Sequence, residues 1–536
     1  MRTRLATALL LLAALTLPTA VVTKAPAAPG ASAAGQSSAP DQCALLARLT
    51  LPGKVKITSA ERVAPSAPGT VRNGMGVLVP SALPAYCKVE GMIDERTGAG
   101  GKTYGIGFAL ALPDDWSGRF LVQGGGGLNG SVGLPIGAAA AGDVPALARG
   151  FAVMSHDSGH RGQVFDPSFM ADQRANLDFS ESAVRTVTEL GKALTARYYG
   201  KPINHSYMAG CSTGGRESML ASQRYPELFD GIVVGAPAMR TGDSNLAIAY
   251  SQVQFNQAAP RNAHGVPIVE RIFSAADRKL ILGGLLAQCD GLDGLKDGMI
   301  ENVAACHFKP VALQCKGRKT DQCLSAAQVG AMERAFAGPR DKAGYPLYTP
   351  VPYDTGIVTA DSFIPGYLPT GRPGPIGPAS RDLAIDLDKR MNAIRMDAGQ
   401  RLTDTYTWTN LNTFTDRGGK IVFYHGVSDP WFSALATLDY WLRAEKANGA
   451  AWADASRFYL VPGMGHCGGG NAFDNFDLLS AVVDWVEQGR APGPVTASRA
   501  TPLPAARPLC PYPTYAHYKG GTPEKAESFE CRGPLE

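Results

Sequence analysis

A serine hydroxyl becomes a useful nucleophile only when a base takes its proton and an acid orients that base. The chain offers the three groups in one order. Gly210-Cys211-Ser212-Thr213-Gly214 is a G-x-S-x-G sequence, entered from the apolar run SYMAG and left by the helical pattern GRESMLASQRY. Strand, sharp turn and helix form the setting that lifts a serine out of a sheet. Asp429 follows the apolar run KIVFYHG, and His466 follows RFYLVPG in PGMGHCGGG. Nucleophile, acid and histidine in that order belong to acyl transfer on an open α/β sheet, whose sites lie at the C-terminal ends of strands. Ser212 is then the nucleophile, His466 the base and Asp429 the orienting acid. Asp429 precedes Pro430, and an Asp-Pro pair also makes turns. Of the other histidines, His425 lies inside its strand, His156 and His160 precede the serine, and His205 immediately precedes a strand. His264 and His307 fall in the irregular middle of the chain, and His517 in a proline-rich tail.

Gly124–Gly127 is a run of four glycines after the apolar run RFLVQ. A backbone N–H from this loop, with that of Thr213, suits an oxyanion hole. A flexible glycine turn is the other reading; no G-K-[ST] follows, which makes a phosphate-binding loop a poor one. In CDGLDGLKDGMIEN, Asp290, Asp293 and Asp297 fall within eight residues. Three carboxylates converging on a glycine-containing turn repel one another without a cation, and calcium suits hard oxygen donors. The spacing is not that of an EF-hand, and a solvated acidic turn is the other reading.

Elements that could position these groups are legible around them. From Lys54 to Val122 short β-rich runs recur (KVKITSAERV, GVLV, CKVEGMIDE, YGIGFALAL, RFLVQ) between Gly, Pro and Asn, as in antiparallel hairpins. Strands and helices then alternate: GFAVMSH, a helix over about Leu177–Tyr199, SYMAG, GRESMLASQRY and GIVVGAPA. Such alternation builds a parallel sheet. The rhythm stops over 239–417 and resumes at Lys420 with a strand, a helix over about 433–447, the strand RFYLVPG and the helix FDLLSAVVDWVEQG. The expected organisation is a leader over 1–33, one α/β core built from 34–238 and 418–536, and an insertion over 239–417.

The leader reading rests on Arg2 and Arg4 before the apolar run Leu5–Leu17, the pattern of a secretory signal peptide. Ala20, Ala25, Ala27 and Ala33 all offer small residues for cleavage, and an uncleaved N-terminal anchor is the alternative. The run is too short to span a bilayer as a helix. Ten cysteines fit an exported, disulfide-bonded protein. Local spacing favours Cys289–Cys306, Cys315–Cys323 and Cys510–Cys531. If Ser212 and His466 share a hydrogen bond, their neighbours Cys211 and Cys467 come within bridging reach, which leaves Cys43 for Cys87. A redox-active Cys211 is the other possibility. With 45% apolar and 18% charged residues the chain can bury a large core. Its net charge of +4 falls to about +1 beyond residue 33, which gives no electrostatic case for nucleic acid or an anionic membrane. Oligomeric state is not encoded in any motif.

Taken together, GCSTGGRESMLASQRYPELFDGIVVGAPA, CDGLDGLKDGMIEN, YHGVSDPWFSA, VPGMGHC and the ending RPLCPYPTYAHYKG resemble the tannase and feruloyl esterase family over nearly the whole chain after the leader. The resemblance implies an α/β-hydrolase core with a lid inserted between the strands bearing Ser212 and Asp429. It implies the triad above, an oxyanion hole from the N–H groups of Gly127 and Thr213, and the five disulfides. It also implies a structural calcium held in the lid by Asp290, Asp293 and Asp297 and the carbonyls of Leu295 and Met299. The expected activity is a secreted serine carboxylesterase acting on small esters of aromatic acids, feruloyl or galloyl in type. Hydrolysis of mono-hydroxyethyl terephthalate or similar plastic-derived monoesters is the alternative, and a non-catalytic binding protein on the same fold is another. In terephthalate-monoester hydrolases of this family a lid arginine binds the free carboxylate. The comparable stretch here, GYLPTGRPGPIGP, is shorter and its Arg372 is displaced. The lid residues Phe363 and Tyr367 are expected to form the aromatic wall instead.

Overall fold

The apolar runs flanking Ser212, Asp429 and His466 become neighbouring strands of one sheet. In the computed structural model, which describes residues 42–73, 76–360, 364–370 and 380–533, the nine strands are β1 (Val55–Val63), β2 (Tyr86–Thr97), β3 (Thr103–Pro113), β4 (Arg119–Gln123), β5 (Ala152–His156), β6 (His205–Cys211), β7 (Gly231–Gly235), β8 (Lys420–Gly426) and β9 (Ser456–Val461). The leader, Phe363 and Arg372 lie outside the described residues. Their order in the sheet is β1-β2-β3-β5-β4-β6-β7-β8-β9. Pairing is antiparallel from β1 to β5 and parallel from β5 onwards. This is the sheet of an α/β hydrolase. GVLV is not one of the strands. Leu78 makes only an isolated bridge to Arg72, and Val77 and Leu78 are exposed, because no neighbouring strand covers them.

The central strands read as continuous apolar runs because both faces are covered. Met208, Ile232, Val234, Ile421, Phe423 and Phe458 point into one core. Tyr207, Ala209, Val233, Val422, Tyr424 and Tyr459 point into the other. The period-2 alternation of a strand thus feeds two buried layers. Each large apolar side chain so buried contributes about 1.5–3 kcal/mol.

The long helix expected over Leu177–Tyr199 is divided. A short helix, Gln173–Leu177, runs through a π-turn at Asp178–Ser182 into the helix Ala183–Tyr199. Wide turns free carbonyls from the i→i−4 ladder. The buried guanidinium of Arg216 takes two of them, donating to the carbonyls of Phe179 (2.9 Å) and Ser180 (3.0 Å).

Between β7 and β8 the described chain contributes no strand to the sheet. It folds as helices Thr241–Ala258, Ala275–Cys289 and Ala326–Ala337 with shorter helical turns. These bury Phe255, Ile281, Leu285, Met332, Phe336 and Ile357 in a core of their own. The described residues nonetheless pack as one compact unit. The end of the chain adds strands that no motif in the sequence marks. It forms small antiparallel sheets from β10 (Asn475–Phe476), β11 (Val495–Arg499) and β12 (Ala505–Leu509), and from β13 (Tyr515–Tyr518) and β14 (Phe529–Arg532). No helix among the described residues is long and apolar enough to cross a membrane.

Candidate active site

Ser212 is the first residue past β6 and the cap of the helix Thr213–Arg224. Its backbone has φ 64° and ψ −121°, a conformation that L-residues rarely adopt. The strain is held in place by three hydrogen bonds: the Ser212 N–H donates to Gly235 O (3.1 Å), and its carbonyl accepts from Ala238 (3.1 Å) and Arg216 (3.0 Å). The tight turn also explains Gly214. A Cβ there would lie 2.7 Å from the carbonyl oxygen of Gly125, so only glycine lets the glycine loop approach the elbow.

Asp429 and His466 sit on the loops after β8 and β9 and meet there. His466 Nδ1 is 2.7 Å from Asp429 Oδ2. Asp429 Oδ1 accepts the N–H groups of Trp431 (2.8 Å) and Phe432 (3.1 Å). Burial by itself would raise the Asp429 carboxyl, but the neighbouring His466 and His425 outweigh it and hold Asp429 well below the usual carboxylate range. With Nδ1–H committed to Asp429, His466 presents Nε2 as its proton acceptor, and that buried nitrogen has no partner among the described residues. The disulfide Cys211–Cys467, Cα–Cα 5.9 Å, joins the residue before Ser212 to the residue after His466. The other bridges are Cys43–Cys87, Cys289–Cys306, Cys315–Cys323 and Cys510–Cys531, as expected.

His425, a residue of β8, is also part of this cluster. Its Nε2 lies 3.2 Å from Asp429 Oδ2 and 2.9 Å from the Phe432 carbonyl, while Nδ1 lies 2.8 Å from Thr437 Oγ1. Two acceptors around Nε2 place the proton there, so Thr437 donates to Nδ1. Asp429 therefore orients one imidazole while being oriented by another.

The glycine loop is anchored from below. Glu217, buried on the helix that Ser212 opens, accepts the Gly125 N–H (2.8 Å) and the Ser158 hydroxyl (3.0 Å). Among the loop's amides, Gly124 donates to Ala209, Leu128 to Val164 and Asn129 to Gly126. Gly126 and Gly127 have no such acceptor among the described residues. The Thr213 hydroxyl donates to the Gly127 carbonyl, which pins that end of the loop to the elbow. Thr213 opens its helix, so its N–H has no intrahelical acceptor. Gly127 and Thr213 are thus in contact, and neither N–H has an acceptor among the described residues.

Of the two aromatic residues expected to line the site, Phe363 lies outside the described residues and Tyr367 faces elsewhere. Tyr367 points into the helical segment, packing edge-on to Phe336 with ring centroids 4.8 Å apart and donating to the Ala335 carbonyl (3.0 Å). Its polar tip is satisfied there, so it is a packing residue. Phe165, Trp431 and Phe432 take its place. Trp431 and Phe432 lie 4.8 Å and 5.4 Å from the His466 ring, and Phe165 meets Trp431 edge-on at 6.0 Å. All three are half-buried, and a Cβ at Gly127 would lie 3.3 Å from Phe165.

The acidic turn is a closed loop of its own. Asp290 accepts the N–H groups of Asp297 (3.2 Å) and Gly298 (3.0 Å), and Asp293 those of Leu295 (3.1 Å) and Glu301 (2.9 Å). Asp297 accepts from Met299 N (3.2 Å) and pairs with Arg507 of β12 (2.5 Å). Burial pushes the Asp293 carboxyl up to about 7, and Asp297 and Asp290 add to the rise. Three neighbouring carboxylates raise one another's energy, which is donor chemistry suited to a hard divalent cation, and of the three only Asp297 is paired with an arginine. As folded here, no three acidic, histidine or cysteine side chains among the described residues converge to hold a metal ion.

The chain is similar to known proteins over most of its length. The family described as tannase and feruloyl esterase matches residues 87–367 and 379–532. A mono(2-hydroxyethyl) terephthalate hydrolase from Piscinibacter sakaiensis is 38% identical over 518 residues, covering 85% of this chain and 86% of its own. A probable feruloyl esterase from Arthroderma benhamiae is 31% identical over 456 residues, covering 79% and 81%. Among solved structures, feruloyl esterase B from Aspergillus oryzae matches with a TM-score of 0.73 at 25% identity, covering 92% of this chain and 99% of its own. A tannin acyl hydrolase from Aspergillus niger, TM-score 0.64 at 21% identity, shares the fold.

Proposed function

The chain belongs to the tannase and feruloyl esterase family and is a carboxylic ester hydrolase, and on that premise we propose that it is a secreted serine esterase acting on small esters of aromatic acids. The observation that carries the reading is the 2.7 Å contact between His466 Nδ1 and Asp429, on a loop that the Cys211–Cys467 bridge ties to the strained Ser212. Ser212 Oγ attacks the ester carbonyl while His466 Nε2 takes its proton. Asp429 holds the imidazole tautomer and stabilises the imidazolium. The Gly127 and Thr213 amides receive the oxyanion. His466 then returns the proton to the departing alcohol. Water, deprotonated by the same nitrogen, cleaves the acyl-enzyme.

Phe165, Trp431 and Phe432 offer the acyl ring flat apolar surface next to the base, which gains binding energy without needing charge. Hydroxycinnamate and gallate esters are therefore the proposed substrates. The 38% identity to a terephthalate monoester hydrolase favours a second reading, in which the acyl group carries a free carboxylate. Calcium is proposed as a structural component: Asp290, Asp293 and Asp297 with the carbonyls of Leu295 and Met299 would hold it, and the bound ion would neutralise the turn. Five disulfides suit an oxidising compartment and support export.

The test is hydrolysis of feruloyl, galloyl and mono-hydroxyethyl terephthalate esters by the parent and by Ser212→Ala. The parent should favour the first two in kcat/KM, and the variant should lose about 10⁴–10⁶ in kcat. Near-parent turnover by Ser212→Ala would reject the mechanism, and a preference for the terephthalate ester would reject the substrate assignment in favour of the second reading.

A further inference from the structure

The loops bearing Asp429 and His466 are tied together by a residue that belongs to neither. Asp354 lies in the segment between β7 and β8, opening the turn Thr355–Val358. It is 1% exposed. Its Oδ2 accepts the hydroxyl of Ser428 (2.7 Å), the residue before Asp429, and the N–H of Gly463 (2.7 Å), three residues before His466. The Gly356 N–H donates to Ser428 Oγ (2.9 Å), so the direction of the Ser428 hydroxyl is set. The packing is tight. A Cβ on Gly356 would lie 2.6 Å from Ser428 Cβ and 2.8 Å from the Gly463 carbonyl oxygen.

This arrangement is a costly way to fill space. Burial pushes the Asp354 carboxyl up, and what opposes the rise comes from Ser428, Thr355 and Gly463, with no cation among them. The second oxygen, Oδ1, is buried without a partner among the described residues. A position that only had to be filled would hold an apolar side chain at lower cost. What an apolar side chain cannot do is offer one acceptor to donors on two different loops.

We infer that Asp354 is a positioning residue for catalysis, its single carboxyl oxygen clamping the Asp429 loop to the His466 loop so that the segment between β7 and β8 takes part in aligning the triad. The inference rests on the triad proposed above. The clamp acts by accepting hydrogen bonds, and charge is not required of it. Two backbone bonds also join these loops, Ser428 N to Met464 O (3.0 Å) and Val427 N to Val461 O (3.0 Å), so loss of the clamp loosens the alignment without separating the loops.

The experiment compares Asp354→Ala, Asp354→Asn and Ser428→Ala with the parent and with Ser212→Ala, using the ester the parent hydrolyses best. Asp354→Ala should lower kcat about 10–100-fold while KM changes less than about 3-fold, because misalignment costs the chemical step and leaves substrate binding. Asp354→Asn keeps an acceptor oxygen and should recover most of that loss. Ser428→Ala removes one of the two donors and should fall between the parent and Asp354→Ala; it also carries the test if Asp354→Ala does not fold. A folded Asp354→Ala with parent-like kcat overturns the inference, as does an Asp354→Asn as impaired as the alanine variant, or an unaltered Ser428→Ala where Asp354→Ala is not folded. Activity surviving in Ser212→Ala would instead overturn the triad reading.

Discussion

Cys211 and Cys467 are 256 residues apart in sequence and are joined by a disulfide, with Ser212 immediately after one and His466 immediately before the other. Each proposed catalytic residue is thus a single Cα–Cα step, about 3.8 Å, from the bridge. Ser212 and Cys467 both have positive φ, 64° and 63°. The bridge therefore joins two turns whose backbone lies in a region L-residues seldom adopt.

Replacing both cysteines with alanine should lower kcat by about 10–100-fold with a smaller change in KM, since the loss is alignment and not affinity. Peptide mapping without reduction should recover Cys211 and Cys467 in one linked species. Two free thiols, or unaltered kcat in the double variant, would reject the role of the bridge.

Glu217 holds the glycine loop through the Gly125 amide, 92 residues away. Glu217→Ala should leave that amide free to swing and degrade the oxyanion site, with kcat falling roughly 10–100-fold. Glu217→Gln keeps an acceptor oxygen and should be the milder change. Steady-state kinetics on folded variants, with circular dichroism as the check on folding, measures both.

Calcium removal should lower the melting temperature, and added calcium should restore it by mass action. Asp293→Ala should abolish the response to chelator. Elemental analysis of protein never exposed to chelator should find one calcium per chain; finding none would defeat the proposal.

His160 stacks on Phe169 at 3.6 Å, and burial holds its imidazole down to about 4. In the unfolded chain it titrates near 6.5. Between those values the unfolded state binds the extra proton, so stability is lost as pH falls from about 6.5 towards 4. His160→Phe keeps the stacked ring and removes the titration. Denaturant unfolding at pH 7 and pH 4.5 should show the acid penalty reduced by roughly 2–3 kcal/mol in that variant. An unchanged penalty would mean that other groups carry it.

Much of the site was legible in the sequence because it is locally encoded. Ser212 needs a strand before it, a helix after it and small residues around it, and those signals lie within about ten residues. Asp429 and His466 stand at the ends of apolar strand runs, so their side of the sheet follows from chain order. The ten cysteines could be paired once two of them were placed beside Ser212 and His466. What supports these residues was not legible. Glu217, Asp354 and His425 act on loops reached through the fold: Asp354 meets Ser428 across 74 residues and Glu217 meets Gly125 across 92. His425 faces Asp429 only four residues on, yet inside an apolar strand it reads as an ordinary buried residue. The aromatic wall went astray for the same reason. Aromatic residue type is visible in a sequence, but the direction of a side chain from an irregular loop is not. Tyr367 was free to face substrate or core until Phe336 and the Ala335 carbonyl claimed it. Hydrophobic period and turn chemistry are properties of neighbouring residues, so the sequence alone determined the strands flanking the site, the elbow and the order of the proposed triad. Hydrogen-bond partners and ring contacts between distant loops depend on how the helical segment and the sheet pack together, and only the tertiary structure decided those.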